Sequence, residues 1–282
     1  MPNLPPYLAL EPALKIFLSD VAYQSQGHIK PLHQHLALRL VLEGGFSPDE
    51  ITPRPPLVSD RLGRLSFDLS SANSVEQTVL GGLKSKSIDV VVSKTGVGPV
   101  LAISVKGTLN AFRNLTNRME EAIGDATNIH LMYPGLVYGF FHVLKATRAD
   151  TPGVVPNDVA ITMDGQAVPG IKRYAEVLTA LHGRRLVRDE FSRYETVALA
   201  LIDPTTSASG HLLRSFPLEE SPLRTDRFFS TLLNIYDIRF PYVAPSITTL
   251  RRRIWRADSP ALKALGNEKQ WETRLGYRPR VE

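Results

Sequence analysis

The chain has 282 residues, of which 43% are hydrophobic and 22% charged, the balance of an ordinary globular protein with a sizeable core. It has no cysteine, which excludes disulfides and cysteine-based zinc sites and suits a reducing cytoplasm, and no stretch is apolar for the length of a membrane span. Its net charge of +5 is carried by one end: residues 245–282 hold nine Arg or Lys against four acids, and the rest of the chain is balanced.

In chain order, the start MPNLPPYLALEP lacks a basic region followed by an apolar run, so no signal peptide is expected. Residues 10–45 are predicted helical, with Pro31 placed for a helix start and Gly44 for its end. The three histidines of HIKPLHQH are expected to be solvated, because His33 and His35 would point apart on a helix; His28 completes the set. SPDEITPRPPL is a loop, and SANSVEQTVLGGL is predicted as a short helix capped by Asn73 or Ser74 and stopped by Gly81 and Gly82. SIDVVVS (87–93) and VLAISVK (100–106) are β-branched runs joined by KTGVGP, a hairpin turn that lacks the ending of a phosphate loop. Residues 109–129 form the clearest helix, its stripe made of Leu109, Phe112, Leu115, Met119, Ala122, Ile123, Ala126 and Ile129. GLVYGFFHVL (135–144) is a strand, IKRYAEVLTALHG a helix and ETVALALID a strand. This order indicates an α/β fold around a central mixed sheet flanked by helices, in a single domain over 1–282 with its core at about 74–205 and flanking elements at 10–45 and 245–282.

Strand side chains alternate, so Ala102, Ser104 and Lys106 share a face. Asp89 can meet Lys106 near one sheet end if the two runs pair as a hairpin. SIDVVV…LAISVKG thereby resembles the core of the PD-(D/E)xK nucleases, with Asp89 as the first acid and Lys106 as the lysine. Ser104 stands where the second acid belongs. Restriction endonucleases that read CCGG share this S-x-K form and take the missing acid from the next helix, fourteen residues past the lysine, which is Glu120 here. Glu76 matches a further acid that such nucleases use to hold a metal or position the site.

The resemblance covers about 74–145 and implies a restriction-endonuclease-like core. It implies a catalytic set of Asp89, Lys106, Glu120, Ser104 and Glu76. Asp89 and Glu120 would hold Mg²⁺, a hard cation that prefers oxygen donors. On a helical wheel Glu120 lies beside the apolar stripe and Glu121 points away.

The CCGG readers' further arginines are matched only at Arg113. Asn110 is read either as a contact to adenine or, preferred, as a helix cap. Arg118, Arg224, Arg227 and the tract LRRRIWRADSP with Arg251, Arg252 and Arg253 are further candidates for DNA contacts, Trp255 either stacking or anchoring a helix. His130 and His142 are expected to be core histidines. The function implied is Mg²⁺-dependent, sequence-specific cleavage of double-stranded DNA by a cytoplasmic homodimer, one site per strand. No nucleotide or flavin cofactor and no membrane partner is expected. Two rivals remain: a nuclease of another role (repair, recombination or cleavage of modified DNA), and a DNA-binding protein whose nuclease core has decayed.

Overall fold

The apolar runs become strands buried on both faces. In a computed structural model, residues 4–19, 28–109, 112–205, 210–240 and 249–282 are described. Nine strands and seven helices follow in chain order among them: α1 (Leu10–Ser19), α2 (Lys30–Leu42), β1 (Ile51–Thr52), β2 (Leu57–Ser59), β3 (Leu65–Phe67), β4 (Gln77–Val79), β5 (Lys86–Ile88), β6 (Val90–Lys94), β7 (Gly98–Thr108), α3 (Leu115–Met132), β8 (Val137–Lys145), α4 (Pro169–Leu181), β9 (Thr196–Ile202), α5 (Thr225–Arg239), α6 (Pro260–Leu265) and α7 (Glu268–Leu275). The central sheet is mixed, in the order β1-β6-β7-β8-β9, and the fold is α/β as expected. The chain divides into two compact units, one of Met1–Gln77, Asp89–Val100 and Phe240–Glu282, the other of Thr78–Ile88 and Leu101–Arg239.

In the first unit, β1 pairs antiparallel with β6, Ile51 opposite Val92. Helix α2 is apolar almost all round, so it is buried from Leu32 to Leu42 instead of lying on a surface. Its polar residues are therefore inside. The expectation of solvated histidines fails at His33 and His35, which are 4% and 1% exposed. His35 is held by its Nδ1 against the Tyr7 carbonyl at 3.0 Å.

The C-terminal tract makes no helix at 251–256; it runs extended and closes the end of α2. The Trp255 indole donates to the Val41 carbonyl at 2.7 Å, the Arg280 amide to Leu42 at 2.7 Å, and the Arg252 guanidinium to Gly44 at 3.2 Å. Carbonyls orphaned at a helix end thus find partners. Gly45, at φ +71°, is required here because a Cβ would lie 2.1 Å from the Arg253 carbonyl.

In the second unit, β7, β8 and β9 are parallel, with Lys106 opposite His142 and Phe141 opposite Ala198. Every residue of β9 is buried, as parallel strands covered on both faces require. Helix α5, absent from the elements expected of the sequence, packs Phe228 against Phe141 with ring centroids 5.3 Å apart. His142 is the expected core histidine, held by Thr108 at 3.1 Å and by the Tyr174 hydroxyl.

Burial and the nearby Arg118 and Lys106 charges press the His142 pKa to about 3, and burial with Arg39 does the same for His35. Both rings stay neutral in the folded chain but take up a proton near the ordinary 6.5 once unfolded. Their contribution to stability is thus complete above about pH 6.5 and declines as pH falls toward 3. Urea midpoints measured from about pH 7 to about pH 4 are expected to fall continuously; a flat profile would contradict this assignment.

Candidate metal site and lysine cluster

In the first unit, three side chains from separate segments converge. His33 comes from the first turn of buried α2 and Asp89 from the break between β5 and β6. Glu76 lies just before β4, in an extended segment that replaces the predicted short helix. That segment is pinned on several sides. Gln34 of α2 donates to the carbonyls of Arg54, at 3.2 Å, and Asn73. The Asn73 side chain accepts from the Arg54 amide at 3.1 Å, and Gln77 donates to the Ser93 hydroxyl at 3.1 Å. Asp89 is fixed by the fully buried run Val90, Val91 and Val92 that follows it.

One ligand atom from each of His33, Glu76 and Asp89 lies within 4.8 Å of the others. His33 Nε2 is 3.6 Å from Asp89 Oδ1, and the two side chains are 5% and 19% exposed. Two donors bound to one cation at about 2.1–2.4 Å can be no more than about 4.2–4.8 Å apart, so the spacing suits a single divalent ion. The donor set, two carboxylates and an imidazole, could hold a divalent cation. Sequence reasoning found both acids and missed His33. The available signal was the lack of a polar face on α2, which puts any polar residue of that helix inside.

In the second unit, Lys106 near the end of β7 donates to Glu121 Oε1 at 2.8 Å. Arg118 donates to the other oxygen at 2.9 Å, and Lys86 stands 3.7 Å from Oε1. Lys86 also pairs with the buried Asp125 at 2.7 Å. Burial pushes the Glu121 carboxyl up, but the hydrogen bond and charge of Lys106, with Arg118 and Lys86, hold its pKa at about 2. Glu121 is therefore charged through the neutral range and orients the Lys106 side chain.

This corrects the helix geometry expected for Glu120, which is exposed, while its neighbour turns toward the strand. The reason is in α3 itself. Its buried face includes Asp125 and Asn128, whereas Ile123, counted in the apolar stripe, is exposed. Asn128 accepts from the Leu83 and Lys84 amides at 2.8 and 3.0 Å and donates to the Lys84 carbonyl at 2.8 Å. These bonds rotate the helix so that its buried face moves toward Glu121.

Ser104 is buried, its hydroxyl 2.7 Å from the Tyr138 hydroxyl, a hydrogen bond between β7 and β8. Asn110 lies outside the described residues, as does the side chain of Arg113. Of the other arginines, Arg224 is paired with Asp226 at 2.9 Å, and Arg227 donates to the carbonyls of Glu219 and Glu220 at 2.9 and 3.1 Å. Arg251 and Arg253 are exposed.

His130 Nδ1 lies 3.0 Å from the Phe191 carbonyl, and the ring belongs to a buried cluster that the sequence does not announce. Glu195, fully buried, meets Arg184 at 2.7 Å and Arg239 at 2.5 Å, with His130 Nε2 at 3.4 Å. It also accepts the Tyr138 amide at 2.6 Å. Among the described residues, no helix is long and apolar enough to cross a membrane. No known protein family, curated protein or solved structure matches the chain.

Proposed function

We propose that this chain is a Mg²⁺-dependent type II restriction endonuclease that cuts double-stranded DNA as a cytoplasmic homodimer. The observation that supports this reading is the convergence of Glu76 and Asp89, the two acids that the motif assigns before β4 and β6, on one cation-sized point. A divalent cation bound there would supply an activated water and charge neutralisation at the scissile phosphate. Asp89, Glu76 and His33 would hold it. The same motif assigns charge stabilisation to Lys106, which in the second unit donates to Glu121. The basic C-terminal segment, with Arg253 exposed, offers positive charge to DNA phosphates, an attraction weakened by salt.

A second reading, a DNA-binding protein with a decayed nuclease core, draws on Ser104, whose hydroxyl serves Tyr138 where the family pattern has an acid. Incubation of the purified chain with phage and plasmid DNA, with Mg²⁺ or with EDTA, beside Lys106→Ala, separates the two. The nuclease reading predicts discrete fragments only with Mg²⁺ and a loss of about 100-fold or more in rate in the variant. DNA bound but left intact under every condition favours the decayed core. Cutting at full rate by Lys106→Ala removes the lysine from the mechanism.

A further inference from the structure

We infer that His33 is a metal ligand, and that the cation of this site is a transition ion of the Mn²⁺ class in preference to Mg²⁺. The inference names the cofactor of the proposed nuclease site and rests on the same cluster. Four polar residues of α2 lie inside the fold, His33, Gln34, His35 and Arg39. Gln34 holds the 54 and 73 carbonyls, His35 holds Tyr7, and Arg39 pairs with Glu43 at 2.5 Å and lies 4.7 Å from the Tyr277 ring centroid. His33 directs Nε2 toward the Asp89 carboxylate, with Glu76 completing the cluster.

The 3.6 Å between those atoms is longer than a normal hydrogen bond. It lies within the span of about 4.2–4.4 Å that two donors on one ion can reach with bonds of about 2.1–2.2 Å. The acids alone would suit Mg²⁺, which demands oxygen and near-ideal octahedral geometry. An imidazole nitrogen among the donors favours first-row transition ions over Mg²⁺, and the two carboxylates suit Mn²⁺ among them. The nearly buried ring is also fixed by its helix, so the nitrogen is oriented before any ion arrives.

The test uses Mn²⁺ alone with the full chain and reads the metal, not catalysis. Pulsed electron paramagnetic resonance of bound Mn²⁺ should show modulation from a directly bound ¹⁴N, and this should change in protein labelled with ¹⁵N-histidine. His33→Gln should abolish the modulation and weaken Mn²⁺ binding by at least about tenfold. Mg²⁺ should displace Mn²⁺ from the wild type only in large excess. Absence of Mn²⁺ binding, bound Mn²⁺ without nitrogen modulation, or modulation that survives His33→Gln would overturn the inference. The labelled wild type decides the question even if the variant does not fold. Cleavage that needs Asp89 and Mg²⁺ but shows no bound nitrogen would leave the nuclease standing and remove His33. A bound nitrogen without DNA cleavage would do the reverse.

Discussion

Asp89→Asn is expected to lower DNA cleavage by about 100-fold or more while leaving the fold intact. The amide keeps the size of the carboxylate and loses the charge that holds the cation, so the loss should come with weaker metal binding. Glu76→Gln should act in the same direction, because its oxygen belongs to the same cluster. Glu121→Gln should also slow cleavage, through Lys106, whereas Glu120→Gln should not, since Glu120 faces solvent. Rates measured under single turnover check all four. Equal rates for Asp89→Asn and wild type would detach the cluster from catalysis, and a slow Glu120→Gln beside a normal Glu121→Gln would restore the acid first expected from the motif.

The second large effect is on stability. Glu195→Ala should destabilise the chain by about 3–5 kcal/mol, because it leaves Arg184 and Arg239 buried without their carboxylate. The Tyr138 amide would also lose its acceptor. Glu195→Gln keeps an acceptor for that amide and should be milder. Urea unfolding of the two variants beside the wild type measures this. A loss below about 1 kcal/mol in Glu195→Ala would mean that water or a local shift replaces the carboxylate.

The sequence made the apolar elements legible because their patterns are local. The runs VLAISVK, GLVYGFFHVL and ETVALALID are β-branched or uninterruptedly apolar, and each became a strand of the sheet. Asp89 and Glu76 could be singled out because the motif has fixed positions along the chain. What could not be read depends on partners far away in sequence. SANSVEQTVLGGL has the composition of a helix, yet it is extended around β4, and the Asn128 side chain holds the loop that follows. A Cβ at Gly81 would come within 2.5 Å of that side chain, so the glycine there serves close approach and not helix termination. The wheel favours Glu120 over Glu121 because it is drawn on the apolar stripe alone, and the burial of Asp125 with Lys86 and of Asn128 with the 83–84 amides turns it. The basic run at 251–256 reads as a candidate DNA contact from its charge, with Trp255 either stacking or anchoring a helix. Burial of Trp255 against α2 makes the segment a helix closure, with Arg252 committed to it.

The central claim is that the residues joined by the motif cut DNA with a divalent cation. The most direct measurement is end-sequencing of phage DNA treated with the wild-type chain in Mg²⁺ or Mn²⁺, beside the same reaction in EDTA. The account predicts a defined set of double-strand ends at one recurring sequence, present with either cation and absent in EDTA. Intact DNA with both cations, or ends that form equally in EDTA, would contradict it.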